Sequence, residues 1–310
     1  MKLFKEITEM FSRELELRGR AFVNYGALKE VEVKDMTIDG FPAKLFFNPA
    51  RVRSVMADVS PEALQKRACF LCPDGLEPLQ LTTVWDSPTG QTYFIRVNPF
   101  PIFNHHFTIS SAIHERQTFA PHMESMLHLA QAMPEMSIFY NGPMCGASAP
   151  DHMHFQAVPR HSMPIEDHFD TNYANAVLMQ ESDLQSHLAA VKKVLAMGTI
   201  PEEASQTGSL TANASHAEEY EPRWNIVSWY EPASSPNSLI ASSPKFNTIV
   251  FFRKESRPQC FFAPEPERIL FSPATVEMGG IGIVANRDSF DRLTPSKLRD
   301  IIREVADEIV

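Results

Sequence analysis

Apolar residues recur every three or four positions in four segments of the chain, which is the spacing of a helix that buries one face. In the first segment, which covers the first twenty residues, these positions are Leu3, Ile7, Met10 and Phe11. The other three predicted helices cover 116–133, 181–197 and 294–310. The last of them has good starting signals, because Thr294 can cap the helix and Pro295 suits its first turn.

Short runs rich in β-branched and aromatic residues lie between these helices and predict strands. The runs are 43–54, 81–102, 106–114, 136–142, 224–232, 246–254, 258–264 and 280–288. The second run contains Ser-Pro-Thr-Gly, a turn signal, so it predicts a hairpin. Two polar segments, 199–221 and the Ser/Pro-rich 231–245, predict surface loops.

The order of these elements predicts an α+β fold, with antiparallel sheets and helices packed on them. A block of strands followed by a helix occurs twice. We therefore expect two related halves in tandem, 1–180 and 181–310, although the halves share no strong sequence identity.

Composition and charge narrow the possible functions. The chain has 310 residues, is 44% hydrophobic and carries a net charge of −10. Such an acidic chain lacks the basic surface of a nucleic-acid-binding protein. No apolar run approaches the roughly 18 residues that span a bilayer, and the first twenty residues contain no signal-peptide core. We expect a cytoplasmic protein that binds neither nucleic acid nor membrane.

The segment NGPMCGASAPDHMHFQAVP, residues 141–159, carries the main candidate chemistry. If its second part is a strand, alternation places His152, His154 and Gln156 on one face. The small residues before them, including Gly146 and Ser148, let backbone amides approach a phosphate. Three interpretations fit: histidines on a strand edge, a two-ligand metal site, or a histidine nucleophile beside a phosphate site.

Cysteine spacing points to a second site. Cys69 and Cys72 have the Cys-x-x-Cys spacing of a zinc knuckle, although two small buried cysteines would share it. A thioredoxin-like pair is disfavoured because no clear helix follows. The other cysteines, Cys145 and Cys260, are predicted to be packing residues, since disulfides are unlikely in a reducing compartment.

The segment FNPAR, residues 47–51, supplies candidates for polyphosphate binding. Asn48 and Arg51, with Arg53, could contact phosphates, because arginine donates two parallel hydrogen bonds to them. A solvated arginine is the commoner outcome for such a position. Asn141 could contact a phosphate or brace the loop that follows it, and Glu277 could lie near a substrate or cap a helix.

The run NGPMCGASAPDHMHFQ resembles the active-site signature of the histidine-triad / galactose-1-phosphate uridylyltransferase superfamily. Segments 98–117 and 271–294 resemble two further elements of that superfamily, so the likeness covers most of 43–160 and 223–305. It is greatest to the GDP-L-galactose phosphorylase and diadenosine tetraphosphate phosphorylase branches. We expect a separate, bacterial branch.

This resemblance implies a mechanism. His154 would attack the α-phosphorus of a nucleoside diphosphate sugar or a dinucleoside polyphosphate, and a phosphate-bearing acceptor would take the nucleotidyl group. Gln156 would bind the phosphoryl oxygens, loop amides near Gly146 and Ser148 would stabilise charge, and Asn98 would contact ribose or phosphate. The hydrolase branch has a histidine where this chain has Gln156, and glutamine cannot act as a general acid.

The resemblance also implies a structural zinc site made of Cys69, Cys72, His114 and His152, with His106 as an alternative ligand. The favoured function is a nucleotidyltransferase or phosphorylase. The alternatives are a nucleotide hydrolase of the histidine-triad type and a non-catalytic nucleotide-binding protein. A homodimer is possible, because relatives often pair through their sheets.

Overall fold

The computed structural model describes residues 2–52, 56, 59–198, 221–234 and 242–307. The strands of this part are β1 (Glu32–Ile38), β2 (Phe41–Phe47), β3 (Thr83–Asp86), β4 (Thr92–Val97), β5 (Phe107–Ser111), β6 (Met136–Asn141), β7 (His154–Pro159), β8 (Ala176–Glu181), β9 (Trp224–Glu231), β10 (Lys245–Phe252) and β11 (Ile281–Val284). The helices are α1 (Lys2–Glu16), α2 (Arg20–Ala27), α3 (Pro61–Lys66), α4 (Met123–Ala132), α5 (Thr171–Ala174), α6 (Leu184–Leu195), α7 (Gln259–Phe262), α8 (Thr275–Met278), α9 (Arg287–Arg292) and α10 (Pro295–Val305).

The larger sheet has eight strands in the order β3-β4-β5-β7-β6-β9-β10-β8. Its neighbouring strands all run antiparallel, which confirms the predicted α+β class. The predicted division between residues 180 and 181 falls inside β8, and β8 pairs with β10 from the later part of the chain. The sheet is therefore continuous across this division, and the tandem halves stay a prediction.

A smaller sheet joins the two ends of the chain. It has the order β1-β2-β11, where β1 and β2 form an antiparallel hairpin and β11 runs parallel to β2. This parallel pair departs from the antiparallel arrangement that the sequence predicts. This pair places β11 beside the end of β2, where the Asn48 amide donates to the Val284 carbonyl at 2.9 Å.

The large sheet is buried on both faces. In β10, Phe246, Val250 and Phe252 pack in one core cluster, together with residues of α1, α4 and α6. Ile249 and Phe251 point the other way, into a second cluster shared with the small sheet and α10. Since every second side chain of a strand takes the same face, β10 contributes apolar side chains to both clusters.

Most predicted elements are confirmed. The hairpin at 81–102 forms β3 and β4, and the C-terminal helix begins at Pro295, where the Thr294 hydroxyl accepts a hydrogen bond from the Lys297 amide at 3.3 Å. The helix predicted from 116 begins only at Met123, after a 3-10 turn that contains Pro121.

Two strand predictions are wrong. The run 258–264 contains a short helix, α7, flanked by Pro258 and Pro264, because prolines end a strand ladder and suit helix starts. The strand predicted through His152 begins at His154 instead, and the His152 amide donates to Ala149 O at 3.1 Å in a turn. His152 and His154 therefore do not share one strand face. Arg53, nearly all of the loop 199–221 and part of the Ser/Pro-rich segment lie outside the described residues.

Over the residues that the structure describes, no helix is both long enough and apolar enough to cross a membrane.

The packing between the two sheets predicts a strong effect of Leu45→Ala. Leu45 lies on β2, is fully buried and belongs to the second cluster. Loss of its side chain leaves a cavity, so the free energy of unfolding should fall by about 2–5 kcal/mol. Val33→Ala, on the exposed face of neighbouring β1, is the control and should cost less than about 1 kcal/mol. Equal effects in urea unfolding would contradict this packing.

Candidate active site and metal centre

A cavity of about 740 Å³ lies between the middle of the large sheet and the C-terminal segments 255–283. Its volume is within the range of about 300–1,000 Å³ that is typical of small-molecule sites. Seven residues predicted to act in catalysis or substrate binding line it: Arg51, Asn98, Asn141, Gly146, Ser148, His154 and Gln156. Asn48 does not line the cavity. Its side chain instead accepts the Ala50 amide at 3.1 Å and caps the turn that carries Arg51.

One hydrogen bond decides which nitrogen of His154 is available. Nδ1 of His154 lies 2.9 Å from the carbonyl oxygen of His152, and a carbonyl can only accept. Nδ1 therefore carries the proton, and Nε2 keeps its lone pair. Burial lowers the pKa of His154 to about 4, against a smaller opposing effect of this hydrogen bond, so the ring is neutral at pH 7.

The backbone of His154 is held by a side chain that the sequence analysis missed. Gln117 accepts the His154 amide at 2.7 Å and donates to the His154 carbonyl at 3.0 Å. The side-chain nitrogen of Gln117, Nε2, also donates to the Asn141 carbonyl at 3.0 Å. Gln117 is buried and thus fixes the start of β7 against the end of β6. No spacing in the sequence marks this residue, because it reaches both strands from a loop.

The amide of Gln156 is oriented by His106. Nδ1 of His106 accepts the Ile102 amide at 3.2 Å, so its Nε2 carries the proton and donates to Gln156 Oε1 at 2.8 Å. Burial lowers the pKa of His106 to about 3, which keeps this ring neutral. Because the Gln156 oxygen is engaged, its NH2 group is the polar group left for the cavity.

The two asparagines brace the site. Asn98 Oδ1 accepts the Phe100 amide at 2.9 Å and so closes a local turn. Nδ2 of Asn98 lies 3.4 Å from Gln156 Oε1. Asn141 Oδ1 accepts from the Thr275 amide at 2.9 Å and from the Thr275 hydroxyl at 2.6 Å. Asn141 thus ties the end of β6 to the start of α8.

A buried arginine completes this connection. Arg253 donates to Asn225 Oδ1 at 2.6 Å and to the Pro273 carbonyl at 3.1 Å. Asn225 in turn donates to Asn141 Oδ1 at 3.2 Å and to the Cys145 carbonyl at 2.8 Å. These contacts join β9, β10 and the loop before His154 in one network. Cys145 is fully buried, as predicted.

The loop 142–148 passes close to the C-terminal segments. Gly146 has a φ of +97°, and a Cβ there would lie 2.5 Å from the Cβ of Ala274. Any other residue at Gly146 would therefore strain the backbone and collide with Ala274. Ser148 is exposed at the cavity, as a phosphate contact requires.

Arginines dominate the charge of the cavity in spite of the acidic chain. Five line it: Arg51, Arg67, Arg96, Arg223 and Arg257. Only the first was predicted, and it donates to the Phe100 carbonyl at 2.5 Å. Three glutamates accompany them: Glu77, Glu255 and Glu277. Both predictions for Glu277 are met, because it lines the cavity and its carboxylate accepts the Ala274 amide at 2.9 Å at the start of α8. Burial raises the pKa of Glu277.

The four predicted metal ligands, which come from separate parts of the chain, meet in space. The ligand atoms of Cys69, Cys72, His114 and His152 all lie within 4.8 Å of one another. Sγ of Cys72 is 3.2 Å from Nδ1 of His114, and Sγ of Cys69 is 3.3 Å from Nδ1 of His152. A zinc tetrahedron of two sulfurs and two nitrogens has edges of about 3.3–3.8 Å. The cluster can therefore hold a metal ion of this kind.

The hydrogen bond of one ring nitrogen of His152 determines which of its nitrogens can bind a metal. Nε2 lies 2.9 Å from the Ser111 carbonyl and must donate to it, so Nδ1 is the nitrogen that faces the cysteines and that a metal would bind. Burial raises the pKa of the Cys69 thiol, but hydrogen bonding to His152 outweighs this and brings the pKa to about 6. His106, the alternative ligand, contacts Gln156 instead.

A further arginine supports the knuckle. Arg96 is buried and donates to the Leu71 carbonyl at 2.9 Å and to the Ser110 hydroxyl at 3.1 Å. Leu71 lies between the two cysteines, so Arg96 joins the knuckle to β5. Its positive charge lies near both cysteines. Burial and the neighbouring Cys69 nevertheless raise the pKa of Cys72 to about 11.

This geometry predicts that the purified protein contains an equimolar amount of zinc. Cys69→Ser should remove most of the metal, because serine is a poor zinc ligand, and should lower the free energy of unfolding by more than about 2 kcal/mol. Cys260→Ser is the matched control, since Cys260 lies outside the cluster. Metal content by mass spectrometry checks this. Unchanged zinc in Cys69→Ser would contradict the ligand set.

Comparison with known proteins supports this fold. Residues 10–159 match the family model described as "Domain of unknown function (DUF4922)". No curated protein sequence matches the chain. Among solved structures, yeast Ap4A phosphorylase Apa2 in complex with AMP is similar, with 14% identity, a TM-score of 0.52, and 93% of this chain and 96% of that chain covered. The same enzyme in complex with Ap4A has 12% identity, a TM-score of 0.55, and coverage of 96% and 97%. The chain therefore shares the fold of these two yeast phosphorylase structures.

Proposed function

We propose that this protein is a nucleotidyltransferase that cleaves a dinucleoside polyphosphate by phosphorolysis, through a covalent nucleotidyl–His154 intermediate. One observation carries the proposal: the bond from His154 Nδ1 to the His152 carbonyl leaves Nε2 as the free nitrogen at the cavity. A neutral imidazole held in this tautomer is a nucleophile that needs no base to activate it.

In the first step, Nε2 of His154 attacks the α-phosphorus, an N–P bond forms, and the P–O bond to the leaving nucleotide breaks. The departing oxygen belongs to a polyphosphate, which is a stable anion and needs no proton. The imidazole becomes positively charged, and the His152 carbonyl at Nδ1 stabilises this charge. The cavity arginines offset the negative charge of the phosphates.

The NH2 group of Gln156 would donate a hydrogen bond to a phosphoryl oxygen, since the amide oxygen is held by His106. Neither group can take a proton from water: Gln156 does not titrate, and His106 already directs its proton at Gln156. Inorganic phosphate is an anionic nucleophile and needs no such base. This supports phosphorolysis over the hydrolase alternative.

The two similar yeast structures bear on the donor. One is a complex with AMP and the other a complex with Ap4A, and both cover more than nine-tenths of this chain. We therefore favour a dinucleoside polyphosphate over a nucleoside diphosphate sugar. Zinc would be held by Cys69, Cys72, His114 and His152, where it would fix the turn before β7 and carry no step of the reaction.

The covalent step predicts a mass gain. Incubation with Ap4A and no phosphate should add one AMP to the intact protein, and later addition of phosphate should remove it as ADP. His154→Ala should form no adduct and lose at least about 1,000-fold in turnover, because the nucleophile is gone. His168→Ala, an exposed histidine, is the control and should react normally.

An adduct that persists in His154→Ala would contradict the assignment of the nucleophile. A nucleoside diphosphate sugar tested in parallel separates the two donor classes. Turnover of Ap4A without any adduct, with water as acceptor, would favour the hydrolase.

The low pKa of His154 predicts the pH dependence of adduct formation. Because Nε2 loses its lone pair only as the pH falls to about 4, the single-turnover rate should stay constant from pH 7.5 to 5.5. A histidine of ordinary pKa, about 6.5, would give a fall of about ten-fold over this range. The internal phosphates of Ap4A are ionised throughout, so they add no pH dependence. A ten-fold fall would contradict the environment assigned to His154.

A further inference from the structure

Two of the residues that line the cavity are exposed phenylalanines. The described part of the chain exposes twelve large hydrophobic side chains, and only Phe70 and Phe262 among them line the cavity that holds His154. Phe70 is 43% exposed and Phe262 is 69% exposed, whereas His154 is 4% exposed. The cavity thus has a buried reacting end and an aromatic outer part.

Phe70 lies on the knuckle, between Cys69 and Cys72. The guanidinium of Arg67 lies 4.8 Å from the centre of its ring, and Asp151 holds that guanidinium by a 2.5 Å bond to Nη2. Nη1 of Arg67 is buried and has no hydrogen-bond partner within the described part of the chain. Arg67 lines the cavity as well, so its guanidinium places positive charge beside an aromatic face.

Phe262 comes from a separate segment of the cavity lining, at the end of α7. Its neighbour Phe261 is buried, and the guanidinium of Arg257 lies 4.4 Å from the Phe261 ring. The two phenylalanine rings meet edge to face, with centroids 5.2 Å apart. Phe261 therefore anchors the short helix, while Phe262 keeps its ring in solvent at the cavity.

We propose that Phe70 and Phe262 form a stacking site for the base of the leaving nucleotide, with Arg67 contacting its phosphates. This subsite rests on the proposed function, which places the reacting nucleotide at His154. An exposed aromatic ring has a free face on which a base can stack, and the adjacent arginine suits the anionic phosphate chain. In this proposal the nucleotide at His154 leaves Phe70 and Phe262 to the second nucleotide, so a dinucleotide uses the subsite and a mononucleotide at His154 does not.

Calorimetric titration of His154→Ala protein tests this, because that background binds without turnover. Ap4A and AMP are each titrated into the background protein and into forms that also carry Phe70→Ala or Phe262→Ala. Phe22→Ala is the matched control: it is 47% exposed and lies beside Arg18, but away from the cavity. Phe262→Trp and Phe70→Tyr keep an aromatic face.

Each alanine variant should weaken Ap4A binding by about 5- to 100-fold, the value of one stacked base, and leave AMP binding within two-fold. The aromatic replacements and Phe22→Ala should bind Ap4A like the background protein. The subsite is overturned if Ap4A binds unchanged to both alanine variants, if AMP weakens as much as Ap4A, if aromatic replacements do not restore binding, or if Ap4A does not bind the background protein.

The proposed function can fail separately. If Ap4A binds with this dependence on Phe70 and Phe262 while the unmodified protein forms no AMP adduct, the subsite stands and the nucleophile does not.

Discussion

The hydrogen bond from His154 Nδ1 to the His152 carbonyl is the contact on which the site depends. It selects the tautomer, and thereby leaves Nε2 as the reactive atom at the cavity. The carbonyl is in the right place only because His152 sits in a turn immediately before β7. The ring of the same residue faces the cysteine cluster. One histidine therefore links the metal centre to the candidate nucleophile, through its side chain on one side and its backbone on the other.

The other contacts hold this pair rigidly against the rest of the fold. Gln117 binds both the amide and the carbonyl of His154. Arg253 and Asn225 hold the loop before it, and Asn141 ties that loop to Thr275. These groups are buried and satisfied, so the low dielectric around them strengthens each bond. The C-terminal segments thus shape the cavity as much as the motif does.

Local sequence patterns predicted the features of the fold and the site that depend on residues close together in the chain. The strand and helix periods indicated the fold class, the motif led to His154 and Gln156, and the resemblance to a known superfamily implied the four metal ligands. Long-range contacts could not be read in this way. Gln117 ends the segment 98–117, whose resemblance gave this residue no role, and Arg67 and Arg253 come from segments without a motif. All three reach the site only through the strand order. The alternation argument failed at His152 because its backbone turns before the strand begins. Asn48, predicted to bind phosphate, caps a turn instead, since an asparagine before proline serves either role.

The stereochemical course at the α-phosphorus tests the central claim most directly. The donor would be a dinucleoside polyphosphate whose α-phosphorus is made chiral by sulfur substitution, and the nucleoside diphosphate formed with phosphate would be examined. Each in-line displacement inverts the phosphorus, so a nucleotidyl–His154 intermediate requires two inversions and predicts net retention. Net inversion would show one direct transfer from donor to phosphate, and would contradict a covalent role for His154.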